Sequence, residues 1–258
     1  MDFRSLRAFI FDLDGCVYTG NTLVPGVQEY LQELREKGRR ILFLTNNSRE
    51  AGGELQAKLA RLGIPASRDE ILSAAEIVGP FVRDRFGPSR LLAIGSETLR
   101  RLLIEAGHSL LAVEAYREAR VVVVGHDVEF DYRKLTAASR AVASGAAFVA
   151  VNVDPRLPVE GGEFYPGCGA LVEAVAAAAR TRPEVIGKPM PYIFRAALAR
   201  LSVPAEDAAM IGDSLASDVG GAQAVGLKTI WLAPEGVVAS EAHPDLTIHA
   251  FAELTGRF

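Results

Sequence analysis

The chain has 258 residues, more than the roughly 100 to 200 of a usual single domain and short of two full ones, which fits one domain carrying an insertion. Hydrophobic residues make up 49% and charged residues 23%, a globular balance that excludes disordered and collagen-like chains. Twenty-eight Lys and Arg against 32 Asp and Glu give a net charge of -4 without a long basic run, which argues against a nucleic-acid ligand.

The start, Met1-Asp2-Phe3-Arg4, lacks the apolar segment of a secretory signal, and the expectation is a cytoplasmic protein. Ala8–Phe11 reads as a buried strand that stops at Asp12-Leu13-Asp14-Gly15. Val27, Tyr30, Leu31 and Leu34 then fall on one helix face, and Gly38 marks the stop before a second apolar run, Ile41–Leu44. Strand, helix, strand predicts a parallel pair. The second run ends on Thr45, Asn46, Asn47 and Ser48, and a helix with Leu55, Leu59 and Leu62 on one face follows. Ser73 with Glu76 forms a capping box that opens a helix to about Phe86.

From there the βα alternation begins again, with strands at Leu91–Ile94, Val121–Val124 and Phe148–Val151 separated by amphipathic helices. The Val121–Val124 run is far shorter than the roughly 20 residues that span a bilayer, so no membrane partner is expected. A Pro- and Gly-rich loop leads through an alanine-rich helix to Pro183. A further helix (Phe194, Ala197, Leu198, Leu201) and apolar runs at Ala208–Ile211, Lys228–Leu232 and Leu246–Ile248 resume the first domain. The predicted fold is α/β: a doubly wound parallel-sheet core over residues 1–78 and 181–258, with a smaller α/β cap domain over 79–180. Cys16 and Cys168 have no CxxC partner and read as reduced packing residues. His108, His126, His243 and His249 are scattered and read as surface or loop residues, and Trp231 reads as core.

In a parallel sheet every strand's carboxyl end lies on one edge, where ligands bind. Here those ends carry Asp12 and Asp14, then Thr45, Asn46 and Asn47, then Asp213 and Asp218, while Lys188 sits at re-entry into the first domain. Three carboxylates in one crevice require either that one is protonated or that a hard cation and a lysine neutralise them. Mg²⁺, an oxygen-seeking ion that keeps sites for water and phosphate, is the natural cofactor.

FDLDGCVY (Phe11–Tyr18), LTNNS (Leu44–Ser48), GKP (Gly187–Pro189) and GDSLASD (Gly212–Asp218) resemble, in order, the four motifs of the haloacid dehalogenase (HAD) superfamily. The α/β insertion, with NVDPRLP (Asn152–Pro158), FYPGCG (Phe164–Gly169) and GKPMPYIF (Gly187–Phe194), resembles subfamily IIA, the NagD-like phosphatases. The resemblance implies an HAD-like Rossmannoid core and a Mg²⁺-dependent phosphatase of a small phosphate monoester, acting through an aspartyl phosphate. It implies Asp12 as nucleophile and Asp14 as general acid and base. Thr45, Asn46 and Asn47 would bind the phosphoryl group, and Lys188 would stabilise its charge. Asp12, the Asp14 carbonyl and Asp213 would be metal ligands, with Asp218 ligating through water or holding Lys188 and Asp213 in place. The cap would close to exclude water and choose the substrate, a small phosphorylated metabolite such as a nucleotide or sugar phosphate, and would join two copies into a homodimer.

Leu157 stands where the pyridoxal phosphate and phosphoglycolate branch commonly carries a histidine, which weakens that substrate assignment, and Arg156 is a candidate contact for a second anionic group. The same aspartyl phosphate would serve a phosphotransferase or phosphomutase, and a chain that kept the fold without turnover would be a binding protein.

Overall fold

The computed structural model describes residues 3–158, 163–234 and 243–256. Its main elements are β1 (Ala8–Phe11), α1 (Val27–Glu36), β2 (Arg40–Thr45), α2 (Gly52–Arg61), β3 (Ile71–Ser73), α3 (Ala74–Phe86), β4 (Arg90–Ile94) and α4 (Glu97–Glu105). They continue through β5 (Val121–Val124), α5 (Tyr132–Ala143), β6 (Ala147–Ala150), α6 (Cys168–Ala179), α7 (Pro191–Leu201), β7 (Ala208–Gly212), β8 (Lys228–Leu232) and β9 (Leu246–Ile248). No helix among the described residues is long and apolar enough to cross a membrane.

The chain forms two compact units. The first comprises Met1–Thr45, Gly53–Leu72 and Lys188–Phe258, and the second Asn46–Gly52 and Ser73–Gly187. Against the 79–180 expected from the sequence, the second unit also takes in residues 73–78, 181–187 and a short loop after β2. The reason lies in helix continuity. Ser73 N donates to Glu76 Oε2 at 3.1 Å and opens α3, a single helix that cannot divide at residue 78.

The first unit holds the six-stranded sheet β9-β8-β7-β1-β2-β3. β1 pairs in parallel with β7 on one side and β2 on the other. Its strands are apolar at almost every position because both faces are covered. Phe9, Phe11, Phe43 and Ile211 join Val27, Tyr30 and Leu31 of α1 and Leu55 and Leu59 of α2 in one buried cluster, while α7 lies against β2 on the sheet. Phe11, the last strand residue before Asp12, has its ring centroid 6.1 Å from Phe43, 6.2 Å from Tyr30 and 6.3 Å from Phe251. Such offset aromatic contacts, each contributing about 0.5 to 1.5 kcal/mol beyond area burial, anchor the strand end where the acidic loop begins.

The second unit holds its own five-stranded sheet, in which β6, β5 and β4 are flanked by two-residue edge strands at Glu184–Val185 and Ser109–Leu110. All its pairings are parallel. Ala138, Ala141 and Val142 of α5 pack with Val172, Val175 and Ala176 of α6 beneath it. Two of the histidines expected at the surface or in loops lie in loops, but are buried there. His108 is 4% exposed, accepting from Ser89 N at 3.3 Å through Nδ1 and donating through Nε2 to the Gly79 carbonyl at 3.0 Å. His126 is 8% exposed and bonds the Pro166 carbonyl through Nε2 at 3.1 Å. The ring of His108 is satisfied on both nitrogens by backbone groups that only the tertiary fold brings near, whereas His126 has such a partner at Nε2 and a buried Nδ1 with none among the described residues. Cys16, Cys168 and Trp231 are buried, as expected.

Candidate active site

The crossovers after β1 run toward β2 and β3, and those after β7 run the opposite way toward β8 and β9, so the winding reverses between β1 and β7. Strand carboxyl ends diverge at such a reversal and leave a crevice there. Asp12 follows β1 and Asp213 follows β7, so both acids stand at this point.

The loop after β1 is shaped to receive Asp213. Gly15 has φ +93°, and a Cβ there would lie 2.3 Å from Asp213 Oδ2. The absent side chain is therefore the space that the Asp213 carboxylate fills. Gly15 N donates to the Tyr18 carbonyl at 2.8 Å, and Val17 N to the Leu13 carbonyl at 2.9 Å, closing the turn. Gly15→Ala is expected to destabilise the fold by about 2 kcal/mol or more, from the left-handed backbone and the displaced carboxylate together. Urea unfolding would measure it, and an unchanged midpoint would contradict the fit.

Asp213 is also held from behind, since Trp231 Nε1 donates to its backbone carbonyl at 2.8 Å. Asp218 is reached through a π-helical segment, Leu215–Gly220, in which Val219 N bonds back to the Ser214 carbonyl at 3.2 Å. That wider turn accompanies a fully buried Asp218 whose Oδ2 accepts from Ser214 N at 3.0 Å.

Lys188, 3% exposed, joins the set. Its Nζ donates at 2.6 Å to Asp12 Oδ1 and at 2.6 Å to Asp218 Oδ1. Carboxylate oxygens of Asp12, Asp213 and Asp218 lie within 4.8 Å of one another. Burial pushes the Asp12 carboxyl well above the usual range, against the pull of Lys188 and with the charges of Asp218 and Asp213 adding to the rise. Burial and then the Asp218 charge raise Asp213 to about 6. Burial alone would drive Lys188 toward neutrality, but the two carboxylates touching it outweigh that and hold it protonated.

When all three carboxylates are ionised, one ammonium leaves two negative charges uncompensated. A hard divalent cation fits that donor set in charge and in ligand type. Asp14 is exposed, and its charge adds to the rise at Asp213. Thr45 is buried at the end of β2, the neighbour of β1.

Asn46 and Asn47 open the second unit. Asn46 Nδ2 donates to Asp154 Oδ2 at 3.0 Å. Asn47 turns into its own loop: Oδ1 accepts from Arg49 N at 2.8 Å and Glu50 N at 2.9 Å, and Nδ2 donates to Glu50 Oε2 at 2.8 Å. The rest of the loop is stitched to the same unit. Ser48 Oγ accepts from His126 N, the Arg49 carbonyl from Ser96 Oγ, and the Glu50 carbonyl from Ser73 Oγ. Asn152, Asp154 and Trp231 were not legible as participants, since their partners lie 18 to 108 residues away.

Residues 9–109 match a family model described as haloacid dehalogenase-like hydrolase, and residues 185–254 match a second HAD-hydrolase-like model. The chain is 34% identical over 246 residues to a human glycerol-3-phosphate phosphatase, covering 86% of this chain and 77% of the relative. It is 31% identical over 227 residues to an acid sugar phosphatase of Staphylococcus aureus, covering 88% and 86%. Among solved structures, a putative nagD protein superposes with a TM-score of 0.89 at 28% identity, covering 97% of each chain. A glycerol phosphate phosphatase from Mycobacterium tuberculosis in complex with calcium gives 0.88 at 31% identity, covering 98% of this chain and 73% of that one.

Proposed function

This chain belongs to the haloacid dehalogenase-like hydrolases, in the NagD-like subfamily IIA, and hydrolyses phosphoric monoesters; on that premise we propose that it does so through an aspartyl phosphate at Asp12, with Mg²⁺ as cofactor. The observation that carries the reading is the chain Asp12–Lys188–Asp218 beside Asp213 at the sheet's reversal point.

Asp12 attacks phosphorus with one carboxylate oxygen while Lys188 holds Oδ1 and fixes the plane of the group. The bond from phosphorus to the ester oxygen breaks, and Asp14 gives that oxygen its proton. Its exposure suits the role, because the same carboxylate must next take a proton from an incoming water. That water attacks the phosphorus of the aspartyl phosphate and returns Asp12 as a carboxylate with release of inorganic phosphate. Thr45 and Asn46 donate to the phosphoryl oxygens as they crowd together, and Lys188 offsets the charge gathered there.

A divalent ion, held by Asp12, Asp213 and the Asp14 carbonyl, supplies electrostatic stabilisation of the transferring group when bound. The mycobacterial relative's structure is a complex with calcium, which supports a divalent ion as the cofactor. Asp218 is assigned to holding Lys188, and Asn47 to shaping its loop. Substrates are small phosphorylated metabolites, and the relatives' names favour glycerol or sugar phosphates as a first panel. Phosphate release from 4-nitrophenyl phosphate with Mg²⁺, abolished by EDTA and equimolar with nitrophenol in the absence of a second acceptor, is the expected result. Release unaffected by EDTA would overturn the metal assignment, and nitrophenol without inorganic phosphate would favour a transferase.

The raised Asp213 carboxyl has a pH signature. Its folded value near 6 exceeds its ordinary 3.8, so the metal-free native state binds more protons than the unfolded chain between the two. The stability it contributes is complete below about 3.8 and is lost as pH rises through about 6. In EDTA, the melting temperature relative to Asp213→Asn is expected to fall across that window. In Mg²⁺ the stabilisation by metal should grow with pH, because binding displaces the proton. A metal-induced shift independent of pH from 4.5 to 7 would count against Asp213 as a ligand.

A further inference from the structure

The second unit begins at Asn46, one residue beyond Thr45, and ends at Gly187, one residue before Lys188. One short segment just past β6 holds both ends. Asn152 Nδ2 donates to the Asn46 carbonyl at 2.6 Å, Asp154 Oδ2 accepts from Asn46 Nδ2 at 3.0 Å, and Gly187 N donates to the Val151 carbonyl at 2.8 Å. The segment is itself fixed, because Asp154 N donates to Asn152 Oδ1 at 3.1 Å and the Asp154 carbonyl accepts from Gly169 N at 2.9 Å. The packing is close. A Cβ at Gly187 would stand 2.6 Å from Asn46 Oδ1 and 2.7 Å from the Val151 carbonyl.

We propose that Asp154 and Asn152 are positioning residues that set the Asn46 carboxamide for phosphate binding; this rests on the reading of Asn46 as a phosphoryl donor. A carboxamide presents an N–H edge or an oxygen edge depending on a half-turn of its terminal bond. Only the N–H edge attracts a phosphoryl oxygen. An ionised carboxylate accepts and never donates, so Asp154 admits one of the two orientations. Asn152 fixes the backbone from which that side chain springs. Asp154 therefore acts through Asn46 and acts alike on every monoester, in contrast to a residue that touches the leaving group.

The test is a double-mutant cycle of Asn46→Ala and Asp154→Ala, read with 4-nitrophenyl phosphate and glycerol 3-phosphate, with inorganic phosphate as competitive inhibitor. Asp154→Ala is expected to lower kcat/KM by about 10- to 150-fold for both substrates, the equivalent of one charge-assisted hydrogen bond. Phosphate inhibition should weaken by a similar factor, and the double variant should be no worse than Asn46→Ala alone. Asp154→Asn, whose amide can donate as well as accept and so admits both orientations of Asn46, should show a loss of the same kind, and it carries the same cycle if Asp154→Ala does not fold. Multiplying losses, a loss confined to one substrate, or a silent Asp154→Ala beside an impaired Asn46→Ala would each overturn the proposal alone. A silent Asn46→Ala would overturn the assignment of Asn46 and this proposal with it.

Discussion

Asp12→Asn is expected to abolish turnover, with a fall in kcat of about 10⁴-fold or more, while the protein stays folded. The amide retains the shape of the side chain but is a poor nucleophile toward phosphorus. The fold should not suffer, because Asp12 is a buried carboxylate pushed toward protonation by burial and by two neighbouring acids. Replacing it with a neutral group removes one of three crowded charges, and Lys188 keeps its bond to Asp218 at 2.6 Å. The melting temperature in EDTA should therefore hold or rise by a few degrees, whereas stabilisation by Mg²⁺ should shrink. Phosphate release and thermal melts, with and without metal, separate the two effects. Turnover within tenfold of the parent would remove Asp12 from the nucleophile's role.

Lys188→Met is the second large effect, and it falls on both stability and rate. The side chain is the cation between two acids, one of them wholly buried. Leaving their charges uncompensated costs about 3 to 5 kcal/mol, or the carboxyls take up protons instead. The variant's melting temperature in EDTA should thus fall steeply near neutral pH and recover as the solution is acidified. Turnover should drop about 10²- to 10³-fold, the usual scale for losing one charge-stabilising donor. Lys188→Arg is not expected to rescue either, because the planar guanidinium is too large for a site that places one nitrogen 2.6 Å from oxygens on both sides. An equally stable, inactive Lys188→Met would show that the two ion pairs matter to chemistry alone.

The parallel strands were legible because a strand covered on both faces is apolar without interruption, as Val121–Val124 is. The helices were legible from one-sided spacing such as Val27, Tyr30, Leu31 and Leu34. Edge strands of two residues, Ser109–Leu110 and Glu184–Val185, carry too little pattern to register. The hairpin of Arg156–Pro158 with Phe164–Pro166 lay hidden in a Pro- and Gly-rich stretch that reads as loop. The acids' gathering at one sheet edge followed from strand order, whereas the hold of Asp218 on Lys188 was implied only by the family resemblance. Asp12 and Asp218 lie 176 and 30 residues from Lys188, and no local rule connects groups at that range. Burial of His108 and His126 escaped for the same reason: the partners of their rings are backbone atoms 19 to 40 residues away.

The second unit is not one continuous stretch of chain. Its first piece, Asn46–Gly52, is separated from the rest by a helix and a strand of the other unit. Anyone building chimaeras that exchange this unit between relatives must therefore move two cassettes. Splicing at residues 73 and 187 alone would leave a foreign heptapeptide beneath a new host, and Ser48, Arg49 and Glu50 would lose the matched donors His126, Ser96 and Ser73. Natural recombination faces the same restriction, so crossovers that respect both seams are the ones expected to yield folded, active hybrids.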